Sequence, residues 1–136
     1  MAKITKINHV AIAVPEIDGA LSFWRDALGL EVIKIEDVPS QKSVVAFLPA
    51  GESEVELVRP TEEETGVAKF LRDKGPGMHH VCFEVDDIEE MLADLKAKGV
   101  RLINETPTVL PGRKMAFIHP KSSGGVLVEL YQMIPG

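Results

Sequence analysis

The sequence lacks the features that would tie it to a membrane, a nucleic acid or an oxidising compartment. No apolar run approaches the roughly 20 residues of a transmembrane helix, and residues 1–6 do not begin a signal peptide. The only cysteine, Cys82, cannot form a disulfide within the chain, so we expect a reducing, cytoplasmic location. The net charge of −6, without a basic stripe, argues against binding to a phosphate backbone.

The composition is that of an ordinary globular domain. Hydrophobic residues make up 45% of the chain and charged residues 26%. A chain of 136 residues is long enough to bury a continuous apolar core. We therefore predict a single domain over residues 1–136.

The chain also repeats itself. Residues 8–15 align with residues 79–86 at an offset of 71, and residues 54–57 align with residues 127–130 at an offset of 73. Internal repeats of this kind mean that one structural unit occurs twice. The Gly-Pro-Gly of residues 75–77 marks the boundary between the copies.

Each copy has the pattern of a βαβββ module. In the first copy, β-forming residues 7–14 precede a helix over Leu21–Leu28 that ends at Gly29, and three strands follow at 31–36, 44–48 and 54–58. The second copy repeats this order with strands at 80–85, 101–103, 114–119 and 126–132 and a helix that ends at Gly99. The order predicts an α+β fold. It also predicts two modules, at 5–60 and 78–133, and a linker with one helix at 61–77.

Strand alternation predicts where the metal binds. Successive side chains of a strand point to opposite faces, so His9 lies opposite the bulky Val10 and Ile12. Three further residues lie opposite the apolar set of their own strands: Glu56, His80 and Glu129. Because a duplicated unit has approximate two-fold symmetry, we expect the two His–Glu pairs to converge on one ion.

Each of these residues also has an ordinary structural interpretation. A strand histidine is commonly a hydrogen-bonded core residue, and a strand glutamate is commonly solvated, as we expect for Glu54. Four repeat-equivalent residues on one face favour a metal, and this ligand set suits a divalent ion such as Co²⁺, Ni²⁺, Zn²⁺ or Mn²⁺. His79 has the opposite parity and is predicted to be structural. His119, in a turn, could contact substrate or stabilise the turn.

Four segments resemble a known family: Ile7–Pro15, Val55–Pro60, Gly77–Val81 and His119–Leu130. Together with the paired modules they resemble the vicinal oxygen chelate superfamily, which includes glyoxalase I. Within it they are most similar to the methylmalonyl-CoA epimerase family. The resemblance runs from residue 5 to residue 132 in order, and the segment around residues 119–129 is its more specific part.

The resemblance implies a fold in which the two modules form a curved mixed sheet around a metal site, with Co²⁺ as the expected ion. It also implies a function and a set of site residues. Members interconvert (2R)- and (2S)-methylmalonyl-CoA by proton transfer at C2 through a metal-stabilised enediolate, and they act on this acyl-CoA as homodimers. The metal ligands would be His9, Glu56, His80 and Glu129, with Gln in place of Glu56 in some members. Glu129 would also be a catalytic carboxylate. The chain departs from the pattern at Val45, where the family has its second carboxylate.

Two other functions fit the same fold. One is a glyoxalase I-type lactoylglutathione lyase, which would use the same four ligands. The other is a metal-free protein that binds a small molecule. An extradiol dioxygenase uses only one carboxylate, so Glu56 counts against it. The residues that bind coenzyme A are not identified by the sequence, and Lys114 and Lys121 are guesses for them.

Overall fold

The computed structural model describes residues 2–135, which fall into two compact units. The first unit is His9–His79. The second unit contains residues 80–135 together with the N-terminal residues 2–8. None of the described helices is long and apolar enough to cross a membrane.

The first unit contains one module and the helix that follows it. Strand β1 is Ile4–Ala13, and its residues from His9 onward belong to this unit. The remaining elements are helix α1 (Ile17–Leu21), a π-helical turn (Ser22–Ala27), strands β2 (Lys34–Val38), β3 (Ser43–Ala50) and β4 (Ser53–Pro60), and helix α2 (Gly66–Lys74). Helix α2 confirms the predicted linker helix, and Thr65 caps it by accepting a hydrogen bond from the Ala68 amide at 3.1 Å.

The second unit contains the other module. Its elements are strand β5 (Gly77–Val85), helix α3 (Ile88–Ala97), and strands β6 (Thr108–Leu110), β7 (Arg113–Ile118) and β8 (Leu127–Met133). The first three residues of β5 belong to the first unit. The α+β class and the repeated βαβββ order are thus confirmed.

Strand pairing is the same in both units. In the first unit the strands lie in the order β2-β3-β4-β1, and β1 runs parallel to β4 while the other pairs are antiparallel. In the second unit the order is β6-β7-β8-β5, and β5 runs parallel to β8. Each unit therefore contains a mixed sheet in which the first strand of the module pairs in parallel with the last strand.

The outer strand of the second module was wrongly predicted at residues 101–103. Leu102 forms only an isolated bridge to Ile118, and the strand that pairs with β7 is instead Thr108–Leu110. The reason lies in Asn104, whose side-chain Oδ1 accepts a hydrogen bond from the Phe117 amide at 2.8 Å. The Asn104 side chain accepts the hydrogen bond that a backbone carbonyl of a pairing strand would otherwise accept, so the strand ends there.

One face of each sheet is packed beneath its helix. The core of the first unit joins Ile12 of β1, and Val14 just after it, to Ile17 and Leu21 of α1. The core of the second unit joins Val85 and Leu130 to Ile88 and Leu92 of α3 in the same way. The bulky strand residues thus pack against the helices, as the alternation predicted, and the opposite faces carry the polar residues considered next.

Candidate functional site

The first unit brings His9 and Glu56 together. In the parallel pairing of β1 with β4, Ala11 lies beside Glu56, so His9 is two residues earlier on the same face. His9 Nδ1 is 3.4 Å from Glu56 Oε2. The side chain of His9 is 1% exposed and that of Glu56 is 15% exposed. An imidazole and a carboxylate therefore lie close together and largely buried, on the face of the sheet opposite the helix.

The second unit brings His80 and Glu129 together in the same register. Cys82 lies beside Glu129 in the pairing of β5 with β8, just as Ala11 lies beside Glu56. His80 Nε2 is 3.1 Å from Glu129 Oε1, and the Glu129 side chain is 4% exposed. The ring of Phe117 stands edge-on to the His80 imidazole at 5.8 Å between centroids. This ring fixes the imidazole from one side.

Burial makes both carboxylates dependent on a cationic partner. A carboxylate removed from water is unfavourable unless it is paired or coordinates a metal. Either a protonated imidazole or a divalent cation would meet this need in each unit. Neutral imidazole nitrogens and carboxylate oxygens are also donors that first-row divalent ions accept. The donor set of each pair therefore fits half of the predicted metal site.

The third strand of the first unit has no carboxylate at position 45. Val45 is 3% exposed and packs with Ala11 and Val58. Strand β2 places Glu36 directly beside Val45, and directly opposite residues of an antiparallel pair share a face of the sheet. Glu36 also accepts an ion pair from Lys34 at 2.9 Å. The face that carries Glu54 and Glu56 on β4 therefore also carries Glu36, which lies on β2, one strand beyond Val45.

The sequence did not identify Glu36 as a candidate, because the residues of neither strand alone specify how β2 pairs with β3. Strand β2 begins at Lys34, whereas the predicted strand was 31–36. The pairing that places Glu36 beside Val45 follows from the tight connection at Pro39–Gln41 and the left-handed Lys42, whose φ is 51°. A turn signal at Pro39 was available, but it does not specify the register.

The other predicted candidates have structural partners. Lys114 forms an ion pair with Glu89 of α3 at 2.8 Å, on the helix side of the sheet. The His79 ring packs edge-on against Phe70 at 5.3 Å. The exposed Lys121 donates its amide to His119 Nδ1 at 3.0 Å, so the histidine stabilises the turn.

The electrostatics of His119 agree with that structural role. Partial burial lowers the pKa of His119, and the nearby positive charges of Arg101 and Lys121 lower it further. A neutral imidazole can accept the amide hydrogen bond at Nδ1. Of the two alternatives left open for His119, the structure shows the turn hydrogen bond.

The chain is similar to a known protein family and to a named mouse protein. Residues 8–117 match the family model described as the Glyoxalase/Bleomycin resistance protein/Dioxygenase superfamily. A mouse protein named mitochondrial methylmalonyl-CoA epimerase is 41% identical over 132 residues, which cover 96% of this chain and 74% of the mouse protein.

Two solved structures are similar over nearly the whole chain. A methylmalonyl-CoA epimerase from Mycobacterium tuberculosis gives a TM-score of 0.87 at 36% identity, covering 97% of this chain and 90% of the other. A methylmalonyl-CoA epimerase in complex with methylmalonyl-CoA and NH4+ gives a TM-score of 0.85 at 33% identity, covering 96% of both chains. Similarity at this level extends to the strands that carry His9, Glu56, His80 and Glu129.

Proposed function

The chain belongs to the Glyoxalase/Bleomycin resistance protein/Dioxygenase superfamily, and from this premise we propose that it is a metal-dependent methylmalonyl-CoA epimerase. The reaction interconverts the (2R) and (2S) epimers by moving the proton at C2. The observation that carries the proposal is the buried His80–Glu129 pair, at 3.1 Å, in the same register as the His9–Glu56 pair.

The proposed metal ligands are His9, Glu56, His80 and Glu129. They would hold one divalent ion, with Co²⁺ preferred and Ni²⁺, Zn²⁺ or Mn²⁺ as alternatives. When bound, such an ion supplies positive charge that stabilises the negative charge developing on the thioester and carboxylate oxygens of the substrate. This matters because the C2 proton is only weakly acidic beside a thioester.

Glu129 is the proposed catalytic carboxylate. Its burial removes competing water, and a carboxylate can take a proton from C2 and return it. Inversion at one carbon requires that the proton leave from one side and arrive at the other. With Val45 unable to serve, Glu36 is the first candidate for the opposite side, since β2 places it beside Val45.

Three finer points remain parts of the proposal. The resemblance to the epimerase family supports a homodimer with a small acyl-CoA as substrate. The single, buried Cys82 supports a reducing, cytoplasmic location. The two modules are proposed to act as one domain, since the four ligands come from both.

Proton exchange tests the function directly. Chelator-treated protein is mixed with methylmalonyl-CoA in D₂O, with and without added Co²⁺, and deuterium at C2 is followed by NMR while bound metal is measured by mass spectrometry. We expect metal-dependent exchange that is lost in Glu129→Gln and kept in Glu105→Gln, which alters an exposed carboxylate paired with Lys96.

The other candidate functions give different results. If the metal-loaded protein shows no exchange but isomerises the hemithioacetal of glutathione, the substrate assignment is wrong and the lyase is correct. If the protein retains no stoichiometric metal, the metal site is wrong and a metal-free binding protein of the same fold is favoured.

A further inference from the structure

The face of the second unit that carries Glu129 also carries an arginine. In the antiparallel pairing of β7 with β8, Phe117 lies opposite Glu129 and Arg113 lies opposite Met133. Directly opposite residues share a face, and so do residues two and four apart on one strand. Of the charged side chains that β6, β7 and β8 place on this face, Glu129 is the anion and Arg113 is the cation.

The guanidinium of Arg113 lies against an aromatic ring, and its Nε–H lacks an acceptor among residues 2–135. Its central carbon is 5.2 Å from the centroid of the Tyr131 ring, within the range of a cation–π contact. Its Nε atom is buried and has no hydrogen-bond partner among residues 2–135. A buried donor of a charged group without an acceptor is unfavourable, and native proteins rarely retain one without a reason.

The position of Arg113 is fixed by a tight hairpin. Strands β6 and β7 pair from Leu110 opposite Arg113, and the two residues between them include Gly112, whose φ of 78° suits glycine. The residue that the arginine stacks on, Tyr131, is two positions from Glu129, or about 6.7 Å along the strand. A ligand that reaches Glu129 can therefore extend to the guanidinium.

The duplication is broken at this position. Phe47 and Phe117 lie opposite the equivalent Glu56 and Glu129, so the residue equivalent to Arg113 is four positions before Phe47. That residue is Ser43, which is 2% exposed. The cation is thus present in one copy only, so an anionic group of the substrate would meet it in the second module alone.

We propose that Arg113 is an anion-binding residue for the substrate and that it takes an oxyanion of the acyl-CoA. The planar fork of a guanidinium matches a carboxylate or a phosphate with two parallel hydrogen bonds. Both groups are present in the substrate of the proposed function, on which this inference rests. The chemistry is the same for both, and the choice between them is made by experiment.

The test compares Arg113→Gln with Lys114→Gln. Lys114 is the matched control because it is the next residue of β7, carries the same charge and pairs with Glu89 on the opposite face. Two substrates are used: methylmalonyl-CoA, and the N-acetylcysteamine thioester of methylmalonate, which keeps the carboxylate and lacks every phosphate. Initial rates give KM and kcat, and calorimetry of the metal-loaded protein with substrate already at epimeric equilibrium gives binding without net turnover.

We expect Arg113→Gln to raise KM for methylmalonyl-CoA by about tenfold or more, because a hydrogen bond to a charged group is lost, with little change in kcat. If the phosphates are bound, the short thioester is unaffected. If the carboxylate is bound, both substrates are affected. Arg113→Lys keeps the charge without the fork, is expected to be intermediate, and replaces Arg113→Gln if that variant does not fold.

Two results would overturn the inference. Values of KM and binding affinity within about twofold of the wild type, as expected for Lys114→Gln, would show that Arg113 contacts no substrate anion. If the wild-type protein binds acyl-CoA but does not exchange the C2 proton, the proposed reaction fails while the binding comparison still decides the role of Arg113. Absence of acyl-CoA binding by the wild type would overturn both.

Discussion

The two units have the same strand order and the same His–Glu register, but their glutamates differ in environment. The Glu56 side chain is 15% exposed and meets His9 through Nδ1 at 3.4 Å. The Glu129 side chain is 4% exposed and meets His80 through Nε2 at 3.1 Å. Because Glu129 is the less exposed of the two, we propose it for proton transfer as well as metal binding, whereas Glu56 is proposed as a metal ligand only.

The residues that surround the two glutamates also differ between the units. In the first unit, Ala11, Val45 and Val58 form an apolar cluster near Glu56, to which Val67 of α2 adds. In the second unit, the positions equivalent to these three are Cys82, Met115 and Tyr131. The strand pairing that positions the His–Glu pairs is therefore the same in both units. The side chains next to the pairs differ, and these are the positions where we expect a substrate to be distinguished.

The largest effect should come from exchanging the two glutamates for glutamine. Glu129→Gln is expected to lower kcat for C2 exchange by about 10²–10⁴-fold, because an amide cannot act as a base. Glu56→Gln keeps an oxygen donor, so we expect a much smaller loss, seen mainly as weaker metal retention. Exchange kinetics with metal quantification separate the two variants. Equal losses of kcat would contradict a division of roles between the units.

The next largest effect is expected at Glu36, the proposed second proton-transfer group, which lies in the first unit. Glu36→Gln should lower the rate of inversion by about 10²-fold, the lower end for loss of an acid–base group. Deuterium exchange into one epimer should persist, because Glu129 still serves one side of C2. Polarimetry follows inversion and NMR follows exchange.

The matched control for Glu36 is Asp37→Asn. Asp37 is the next residue of β2 and lies opposite Val44, which packs into the helix-side core. Its substitution should leave both rates unchanged. If Glu36→Gln inverts the substrate as fast as Asp37→Asn does, the second group is not on β2.

The sequence predicted what depends on local pattern and on the repeat. The alternation in residues 7–14 gave the helix-packed face correctly, and the offsets of 71 and 73 brought His80 and Glu129 to the register of His9 and Glu56. These features follow from side-chain period, which each segment contains within itself.

What the sequence did not predict depends on partners that are distant in the chain. The Asn104 side chain replaces a backbone bond to Phe117, so residues 101–103 do not extend into a strand. The same limitation hid Glu36, whose face is set by pairing with β3. The contact of Arg113 with the Tyr131 ring was hidden for the same reason, since it requires the β7–β8 register.

The smallest predicted effect concerns how the two module helices begin. Asp87 caps α3 by accepting a hydrogen bond from the Glu90 amide at 3.1 Å, whereas Glu16 at the start of α1 makes no side-chain cap bond among residues 2–135. Asp87→Ala should lower the free energy of unfolding by about 1 kcal/mol, and Glu16→Ala by much less. Urea denaturation followed by circular dichroism measures both. Equal changes in the free energy of unfolding would mean that the cap of α3 does not distinguish the two units. In that case the short α1, which continues into a π-helical turn, would be stabilised at its start by contacts of Glu16 other than a cap.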